Sequence, residues 1–561
     1  MSEPLLQIKN LSISFREQQA VRGISLSIEK GETLAIVGES GSGKSVTSLS
    51  VLQLLPATAA ISGAVFWNDK NKKINLVHLS EKGLQQIRGN KIAMIFQEPM
   101  TSLNPVKTCG HQVLEAILLH EKIKKEDAYK KVIELFEQVQ LPEPENIFRR
   151  YPHQISGGQK QRVMIAMAMS CHPDLLICDE PTTALDVLVQ KEILLLIKKL
   201  QRQNKMSVLF ISHDLNLVAE IADSIAIFYQ GQMVEFNTTK QIFNSPKHAY
   251  TKALLACRPA LYNKGERLPV VSDFLNNKDF VVKKQAQTQV SSGFQEKEIL
   301  LSVKNLNTWY IVKQNFFGKI QVYNKAVNDV GFEVYKGETL GLVGGSGCGK
   351  TTLGRSIMQL ERPVSGEIIY KGQDIFTYKK GVLNTEIQMI FQDPYASLNP
   401  KISVGAAIGE ALRVHRLCQE KEIKTKVIEW LEKVGLNETH YYRYPHEFSG
   451  GQRQRIVIAR ALIMRPSLVV CDECVSALDV SVQAQILNLL NDLKNEMNFT
   501  AIFISHDLSV VKYLCDRIIV MNSGKVEESG ISEDVYHHPK SNYTKQLLAA
   551  LPNLYRIKNH F

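Results

Sequence analysis

The sequence predicts an α/β fold with two similar domains in tandem. The chain has 561 residues, which is too long for a single hydrophobic core. The sequence ISGGQKQR at residues 155–162 recurs as FSGGQRQR at residues 448–455, and later landmarks keep the same offset. In both halves an apolar run leads into a glycine-rich loop, which is the pattern of an α/β phosphate-binding domain.

Composition is that of an ordinary globular protein, with 44% hydrophobic and 22% charged residues. No run reaches the ~18 apolar residues that a membrane helix needs. The first residues lack the pattern of a secretion signal, and nine cysteines without regular pairing fit a reducing compartment, so we expect a cytoplasmic location. The net charge of +11 is compatible with nucleic acid, an anionic membrane surface or nucleotide phosphates, and does not choose among them.

The repeat also predicts the domain boundaries. We expect a first domain over residues 1–260 and a second over residues 299–561. Residues 261–298 are polar and irregular, without a sustained apolar period, and are therefore predicted to be a linker.

Each domain carries a P-loop pattern after an apolar strand, GESGSGKS at residues 38–45 and GGSGCGKT at residues 344–351. Glycines let backbone N–H groups surround phosphate oxygens, the lysine neutralises phosphate charge, and the final hydroxyl can ligate Mg²⁺. The predicted phosphate-binding residues are Gly38, Ser40, Gly41, Gly43, Lys44 and Ser45 in the first domain, and Gly344, Ser346, Gly347, Gly349, Lys350 and Thr351 in the second.

Further along each half, an apolar strand ends in two acids, LLICDE at residues 175–180 and LVVCDE at residues 468–473. The first acid of each pair, Asp179 or Asp472, is predicted to hold Mg²⁺ directly or through water. The second acid, Glu180 or Glu473, is the candidate that orients or deprotonates the water attacking the γ-phosphate of a nucleotide.

The SGGQ sequences resemble the signature of the ATP-binding-cassette ATPases, and the resemblance covers both halves. It implies ATP and Mg²⁺ as cofactors, and a RecA-like core with an antiparallel β subdomain and a helical signature subdomain in each domain. The P-loop of one domain and the signature of the other would sandwich one ATP, which pairs Lys44 with Ser449 and Lys350 with Ser156. The implied signature residues are Ser156, Gly157, Gly158 and Gln159, and Ser449, Gly450, Gly451 and Gln452.

The resemblance also implies four further roles in each domain: a glutamine that contacts Mg²⁺ and water, an aspartate at the interface between the domains, a histidine that contacts the γ-phosphate, and an aromatic residue that stacks on adenine. In that order these residues are Gln97, Asp186, His213 and Phe15 in the first domain, and Gln392, Asp479, His506 and Tyr310 in the second. Since no catalytic glutamate, signature serine or switch histidine is replaced, we predict two hydrolytic sites.

Three cysteines of the second domain need an interpretation of their own. Cys474 stands where the family usually has proline, and with Cys471 it forms a CxxC sequence that lacks partner ligands for a metal site. Cys348 lies in the second P-loop beside Lys350 and a helix N-terminus, so we expect an acidified, reactive thiol there.

The segments that follow Gln97 and Gln392, and the tails around Tyr250 and Tyr543, resemble those of dipeptide and oligopeptide importer ATPases. The resemblance implies an ATP-binding subunit that hydrolyses ATP to drive import of peptides or related small solutes. It also implies two separate transmembrane permease subunits, an extracytoplasmic solute-binding protein as indirect partner, intramolecular pairing of the two ATPase domains, and a peripheral position on the cytoplasmic face of the bacterial inner membrane.

Two other functions stay open at this point. A soluble tandem cassette that acts on ribosomes or nucleic acid is compatible with the positive charge, although such factors usually have a long, highly charged helical linker. An exporter ATPase is compatible with the catalytic residues but conflicts with the importer-type segments after Gln97 and Gln392.

Overall fold

The computed structural model describes residues 3–69, 72–97, 102–183, 185–276, 298–314, 320–476 and 478–551. Within these residues, the two halves have the same strand order in each of their two sheets. The predicted tandem α/β architecture with antiparallel β subdomains is therefore confirmed. No helix in this part of the chain is long and apolar enough to span a membrane.

Two sheets form the framework of the first domain. Their strands are β1 (Leu6–Phe15), β2 (Gln18–Ile28), β3 (Thr33–Val37), β4 (Ala59–Asp69), β5 (Lys72–Asn75), β6 (Ile92–Ile95), β7 (Leu175–Asp179), β8 (Ser207–Ser212), β9 (Ser224–Tyr229) and β10 (Gln232–Thr238). The antiparallel sheet has the order β2-β1-β4-β5. The core sheet has the order β10-β9-β3-β8-β7-β6 and is parallel except at β10. Strands β3, β7 and β8 are buried throughout, as expected for a parallel sheet covered on both faces.

The second domain repeats this framework. Its strands are β11 (Ile299–Gln314), β12 (Ile320–Tyr335), β13 (Thr339–Val343), β14 (Ser365–Tyr370), β15 (Gln373–Asp374), β16 (Ile387–Ile390), β17 (Leu468–Asp472), β18 (Thr500–Ser505), β19 (Arg517–Asn522) and β20 (Lys525–Ile531). The sheet orders are β12-β11-β14-β15 and β16-β17-β18-β13-β19-β20. In each core sheet, the strand before the P-loop lies next to the strand that precedes the predicted histidine, so both deliver residues to one edge.

Helices cover the core sheets and form a separate helical subdomain in each half. In the first half they are Lys44–Val51, Glu81–Ile87, Cys109–His120, Lys125–Gln138, Pro144–Arg149, Gly157–Met169, Val187–Asn204, Leu215–Ile221, Thr239–Asn244, Ala249–Ala256 and Val271–Asn276. In the second half they are Lys350–Ile357, Lys380–Glu386, Pro394–Ser397, Val404–Val414, Glu420–Lys433, Gly450–Leu462, Val480–Met497, Leu508–Leu514, Ser532–His537 and Asn542–Ala550. The helices that begin at Gly157 and Gly450 carry the two signatures.

The beginning of the predicted linker packs on the second domain. Leu268 is buried, and its N–H and carbonyl oxygen bond the side-chain amide of Asn488 at 3.0 and 2.8 Å. Next to it, Arg267 forms an exposed ion pair with Asp492 at 3.0 Å. Residues 277–297 lie outside the described part of the chain, so the boundaries of the linker stay a prediction.

Replacing Asn488 with alanine is expected to lower the free energy of unfolding by about 1–3 kcal/mol, because two buried backbone groups of Leu268 lose their partner. Replacing Arg267 with alanine removes only an exposed ion pair from the same segment, and a much smaller effect is expected. Urea unfolding of the two variants measures the difference. Equal losses would contradict a dominant role for the buried amide.

Candidate functional site

Each P-loop connects a buried strand to a helix through a glycine that no other residue could replace without strain. Gly43 and Gly349, the N-caps of the two helices, have φ values of 97° and 104°. A Cβ atom on Gly349 would lie 1.9 Å from the carbonyl oxygen of Ala326. Only glycine combines this left-handed conformation with so close a backbone approach.

The P-loop lysines are buried, and the ammonium group of each contacts backbone carbonyl oxygens at the start of its own loop. Lys44 Nζ donates to the carbonyl oxygens of Gly38 and Glu39, both at 2.8 Å. Burial lowers the pKa of Lys44, although acidic neighbours such as Glu180 oppose the shift. In the second domain, Lys350 Nζ donates to the carbonyl oxygens of Gly344 and Gly345 at 2.9 Å.

The hydroxyl after each lysine meets the first acid of the predicted pair. Ser45 Oγ donates to Asp179 Oδ1 at 3.0 Å, and Thr351 Oγ1 donates to Asp472 Oδ1 at 3.1 Å. Adjacent ligands of an octahedral ion with bonds of about 2.1 Å lie about 3 Å apart, so these oxygen pairs fit two positions around Mg²⁺. Burial raises the pKa of Asp179 to about 6 and also raises that of Asp472.

The catalytic candidate Glu180 is held in a strained backbone conformation with φ of 47°. Its Oε2 accepts hydrogen bonds from Gln97 Nε2 at 3.2 Å and from Thr183 Oγ1 at 3.0 Å, and lies 3.2 Å from His213 Nδ1. All three groups contact Oε2. Because no described contact involves Oε1, that oxygen can accept a hydrogen bond from water. Burial alone would raise the pKa of Glu180, but the hydrogen bond and charge of His213 and the charge of Lys44 lower it to about 2.

The second site repeats this geometry with one difference. Glu473 has φ of 46°, and its Oε2 accepts from Gln392 Nε2 at 3.0 Å and lies 3.4 Å from His506 Nδ1. Ser476, the counterpart of Thr183, donates instead to the backbone oxygen of Glu473 at 2.9 Å. Despite burial, the contact with His506 lowers the pKa of Glu473, and in return the pKa of His506 is raised.

The structure therefore brings the predicted glutamine, glutamate and histidine of each domain together. The glutamine amides contact the carboxylates of Glu180 and Glu473, while the predicted contact of the glutamines with Mg²⁺ and the catalytic role of the glutamates stay predictions. Thr183 was not identified from the sequence, since a threonine three residues after an acid has no distinguishing pattern.

Each signature lies at the N-terminus of a helix, and a capping box between its serine and its glutamine stabilises that end of the helix. Gln159 N–H donates to Ser156 Oγ at 3.3 Å, and Ser156 N–H donates to Gln159 Oε1 at 3.0 Å. Because Ser156 Oγ acts as an acceptor here, its own proton stays available for an anion. Residues 449–452 form the same box. A Cβ atom on Gly451 would lie 2.4 Å from Val482, so the signature packs directly on the following long helix.

The predicted interface aspartates contact the P-loop of the opposite domain. Ser346 N–H donates to Asp186 Oδ2 at 3.1 Å, and Ser40 N–H donates to Asp479 Oδ2 at 2.9 Å. A further contact, which the sequence did not indicate, joins Ser481 Oγ to the carboxylate of Glu39. The two domains thus face each other with reciprocal contacts at both P-loops.

A cavity of about 560 Å³ lies between the domains at the second P-loop, large enough for a small-molecule ligand. Ser346, Lys350 and Tyr310 line it, so the predicted adenine-stacking residue lies at the predicted phosphate site. The described residues that line the cavity include none of residues 156–159. Phe15 is half-buried and packs against the apolar core of the first domain, and its contact with adenine stays a prediction.

The prediction of an acidified thiol at Cys348 is wrong. The side chain is 5% exposed, and burial raises its pKa more than the neighbouring Lys350, whose Nζ lies 3.7 Å from Sγ, lowers it. A buried neutral thiol is a poor nucleophile. Cys474 is likewise buried, and contact with Cys471 together with burial raises its pKa.

Comparison with known sequences decides the family. Residues 21–183 and 327–476 match the ABC transporter family, and residues 234–275 match the C-terminal region of oligopeptide/dipeptide transporters. The chain belongs to the ABC transporter family. The resemblance stated from the signature sequences and the predicted ATPase class of this ABC protein are thereby confirmed.

Relatives that align with nearly the whole of this ABC protein are named for an import function. The glutathione import ATP-binding protein GsiA of Escherichia coli strain K12 is 47% identical over 563 residues, covering 98% of this chain and 89% of that protein. The protein of the same name from Salmonella choleraesuis strain SC-B67 is 46% identical over 566 residues, covering 98% and 90%. A solved ATP-binding cassette dimer bound to ADP and phosphate is 26% identical, with a TM-score of 0.38, over 42% of this chain and 99% of that one.

Replacing Asp186 or Asp479 with alanine is expected to reduce ATP turnover by this ABC protein, because each change removes an acceptor from the opposite P-loop. Only Asp186→Ala is also expected to lower the free energy of unfolding, by about 1 kcal/mol. The reason is that Asp186 Oδ1 accepts from Val189 N–H at 3.0 Å and caps its helix, whereas the structure assigns no side-chain cap to Asp479. Phosphate release and urea unfolding test this, and equal destabilisation by both changes would contradict it.

Proposed function

We propose that the chain is the ATPase subunit of an importer for glutathione or another short peptide. Two ATP molecules would bind between the facing cassettes, and their hydrolysis would let the cassettes separate and change the access of separate permease subunits. The observation that carries the ATPase part of the proposal is the reciprocal contact of each P-loop with the opposite domain, through Asp186 and Asp479.

The facing arrangement supports the pairing of each P-loop with the opposite signature, Lys44 with Ser449 and Lys350 with Ser156. Gly451 packs against Val482, two residues beyond the start of the helix that follows Asp479. The aspartate that contacts the first P-loop and the signature of the second domain are therefore parts of one packed unit. Movement of this unit toward the first P-loop would add the signature serine and helix N-terminus to the phosphate site.

In the proposed hydrolysis, Glu180 and Glu473 accept a hydrogen bond from the attacking water and set its direction toward the γ-phosphate. The low pKa of Glu180 keeps it ionised, which suits a group that orients water more than one that removes a full proton. His213 contacts the carboxylate at 3.2 Å, which supports its role in fixing Glu180, and we infer that it also contacts the γ-phosphate.

Mg²⁺ would be held by the hydroxyl and carboxylate pair of each site, Ser45 with Asp179 and Thr351 with Asp472. When bound, the ion would neutralise charge on the β- and γ-phosphates. The protein contribution is a pair of hard oxygen donors already placed about 3 Å apart, which is the spacing that octahedral coordination requires.

The importer part of the proposal rests on the relatives. Two proteins named for glutathione import align with 98% of this chain, and residues 234–275 match a region found in oligopeptide/dipeptide transporters. We therefore infer two transmembrane permease subunits and an extracytoplasmic solute-binding protein as partners, with the chain peripheral on the cytoplasmic face of the inner membrane. Part of the segment after Gln97 that resembles importer ATPases, residues 98–101, lies outside the described residues.

The catalytic assignment is tested by ATP turnover of Glu180→Gln, Glu473→Gln and the double variant. Each single variant is expected to lose part of the turnover, and the double variant at least about a hundredfold, because a general base or water-orienting carboxylate contributes that much. Glu81→Gln is the matched control, since Glu81 is exposed and pairs only with Arg88 among the described contacts. Full turnover in the double variant would contradict the assignment.

The transport assignment is tested separately. The chain is reconstituted in liposomes with the permease subunits and the solute-binding protein that are recovered with it by affinity purification. ATP-dependent uptake of labelled glutathione or of a labelled dipeptide is expected, and the double glutamine variant is expected to abolish it. Recovery of ribosomes instead of membrane subunits would contradict the importer function while leaving the ATPase intact.

A further inference from the structure

A tyrosine near the C-terminal end of each domain contacts the P-loop of the same domain. Tyr250, on the helix Ala249–Ala256, is fully buried, and its hydroxyl oxygen accepts a hydrogen bond from Glu39 N–H at 3.0 Å. Tyr543, on the helix Asn542–Ala550, accepts from Gly345 N–H at 2.9 Å. The same contact has thus formed twice, at equivalent positions of two different loop sequences.

The peptide unit that each tyrosine contacts also meets the P-loop lysine. The N–H of Glu39 and the carbonyl group of Gly38 belong to one peptide, and Lys44 Nζ donates to that carbonyl oxygen at 2.8 Å. In the second domain, Lys350 Nζ donates to Gly344 O at 2.9 Å. Because a peptide unit is planar, an acceptor that fixes the N–H also fixes the direction of the carbonyl oxygen. The phenol therefore sets the position of the group that the lysine contacts.

We propose that Tyr250 and Tyr543 are positioning residues of the two nucleotide sites, and that they act on ATP binding through Lys44 and Lys350. The proposal rests on the assignment of the P-loops as nucleotide sites made above. It gives the C-terminal region of each domain a part in nucleotide binding, through the P-loop lysine.

The chemistry of a phenol suits this position. Burial raises the pKa of Tyr250 and that of Tyr543, so both hydroxyl groups stay neutral. A neutral acceptor holds the peptide without adding a negative charge beside the phosphates of ATP.

Two successive N–H groups of each P-loop donate to acceptors in different domains. This difference separates a role in ATP binding from a role in closure of the domains. Glu39 N–H is held by Tyr250 of its own domain, whereas the next one, Ser40 N–H, is held by Asp479 of the opposite domain. The contact with the tyrosine can persist when the domains are apart, while the contact with the aspartate requires them to face each other. The tyrosine therefore acts on ATP binding and the aspartate on closure of the domains.

The test isolates one site at a time. In a Lys350→Ala parent, which silences the second P-loop, Tyr250→Phe is expected to raise the Kd of a fluorescent ATP analogue with Mg²⁺ by about three- to tenfold, the effect of losing one hydrogen bond. In the otherwise unchanged chain, the variant is expected to raise KM for ATP with little change in kcat. Tyr543→Phe in a Lys44→Ala parent repeats the binding test at the second site. If Tyr250→Phe does not fold, the Kd of the Tyr543→Phe variant tests the proposal instead.

Tyr229→Phe is the matched control. The ring of Tyr229 lies 4.3 Å from that of Tyr250, and its hydroxyl accepts only from the exposed Gln230 side chain, at 3.1 Å, among the described contacts. No change in Kd is expected. A change as large as that of Tyr250→Phe would show that ring packing, not the hydroxyl group, controls binding, and would overturn the proposal.

Two other results would overturn it as well. A Kd within twofold of the parent in both tyrosine variants, even with a lower melting temperature without nucleotide, would reduce the tyrosines to a structural role. An equal rise in Kd when Tyr250→Phe is placed in a Lys44→Met, Lys350→Ala chain would show that the effect does not pass through Lys44. If the Lys350→Ala parent itself binds no nucleotide, the assignment of the P-loop fails first, which is a distinct outcome.

Discussion

The arrangement of the whole molecule depends on a backbone hydrogen bond that each P-loop makes to the opposite domain. Ser40 N–H and Ser346 N–H have their acceptors on Asp479 and Asp186, so each P-loop depends on the opposite domain for one of its contacts. Joining the domains in one chain raises the effective concentration of each for the other. The beginning of the predicted linker reinforces the pairing, because Leu268 is buried against Asn488 of the second domain. Two facing domains, which one fused chain keeps together, thus supply the contacts that neither P-loop finds within its own domain.

The two glutamates proposed to be catalytic are held in a strained backbone conformation by the surrounding sheet. Glu180 and Glu473 both adopt a left-handed backbone conformation, which costs a non-glycine residue about 1–3 kcal/mol. The strand that ends at the preceding aspartate and the N–H of each glutamate, which donates to Ile211 O or Ile504 O, hold the turn in place. The turn directs the side chain to the edge of the sheet where the glutamine and histidine meet it. Packing of the parallel sheet therefore stabilises a conformation that the local sequence would disfavour.

Features that depend on residues adjacent in the chain could be predicted from the sequence. Features that depend on residues distant in the chain could not. The strand–P-loop–helix units and the acidic strand ends were predicted correctly, because each depends on a few consecutive residues. The pKa of Cys348 was predicted to shift in the wrong direction, since Lys350 is a neighbour in sequence whereas the burial that outweighs it comes from the folded domain. The contact of Tyr250 with Glu39 joins residues 211 positions apart. The duplicated tyrosines were visible in the sequence, but only the fold shows which loop they reach.

The two sites share their backbone geometry but differ in the groups around the carboxylate. Thr183 donates to the side chain of Glu180, whereas Ser476 donates to the backbone of Glu473, so Glu180 has one more donor on Oε2. Each donor stabilises the ionised carboxylate and so weakens it as a base. Glu39 of the first P-loop is also joined to Ser481, a contact that Gly345 of the second P-loop has no side chain to make. The first P-loop therefore has one more contact with the opposite domain, and its domain has the carboxylate with more hydrogen-bond donors, while the second has fewer contacts of both kinds. A duplicated motif set thus gives two sites whose rates of closure and hydrolysis need not be equal.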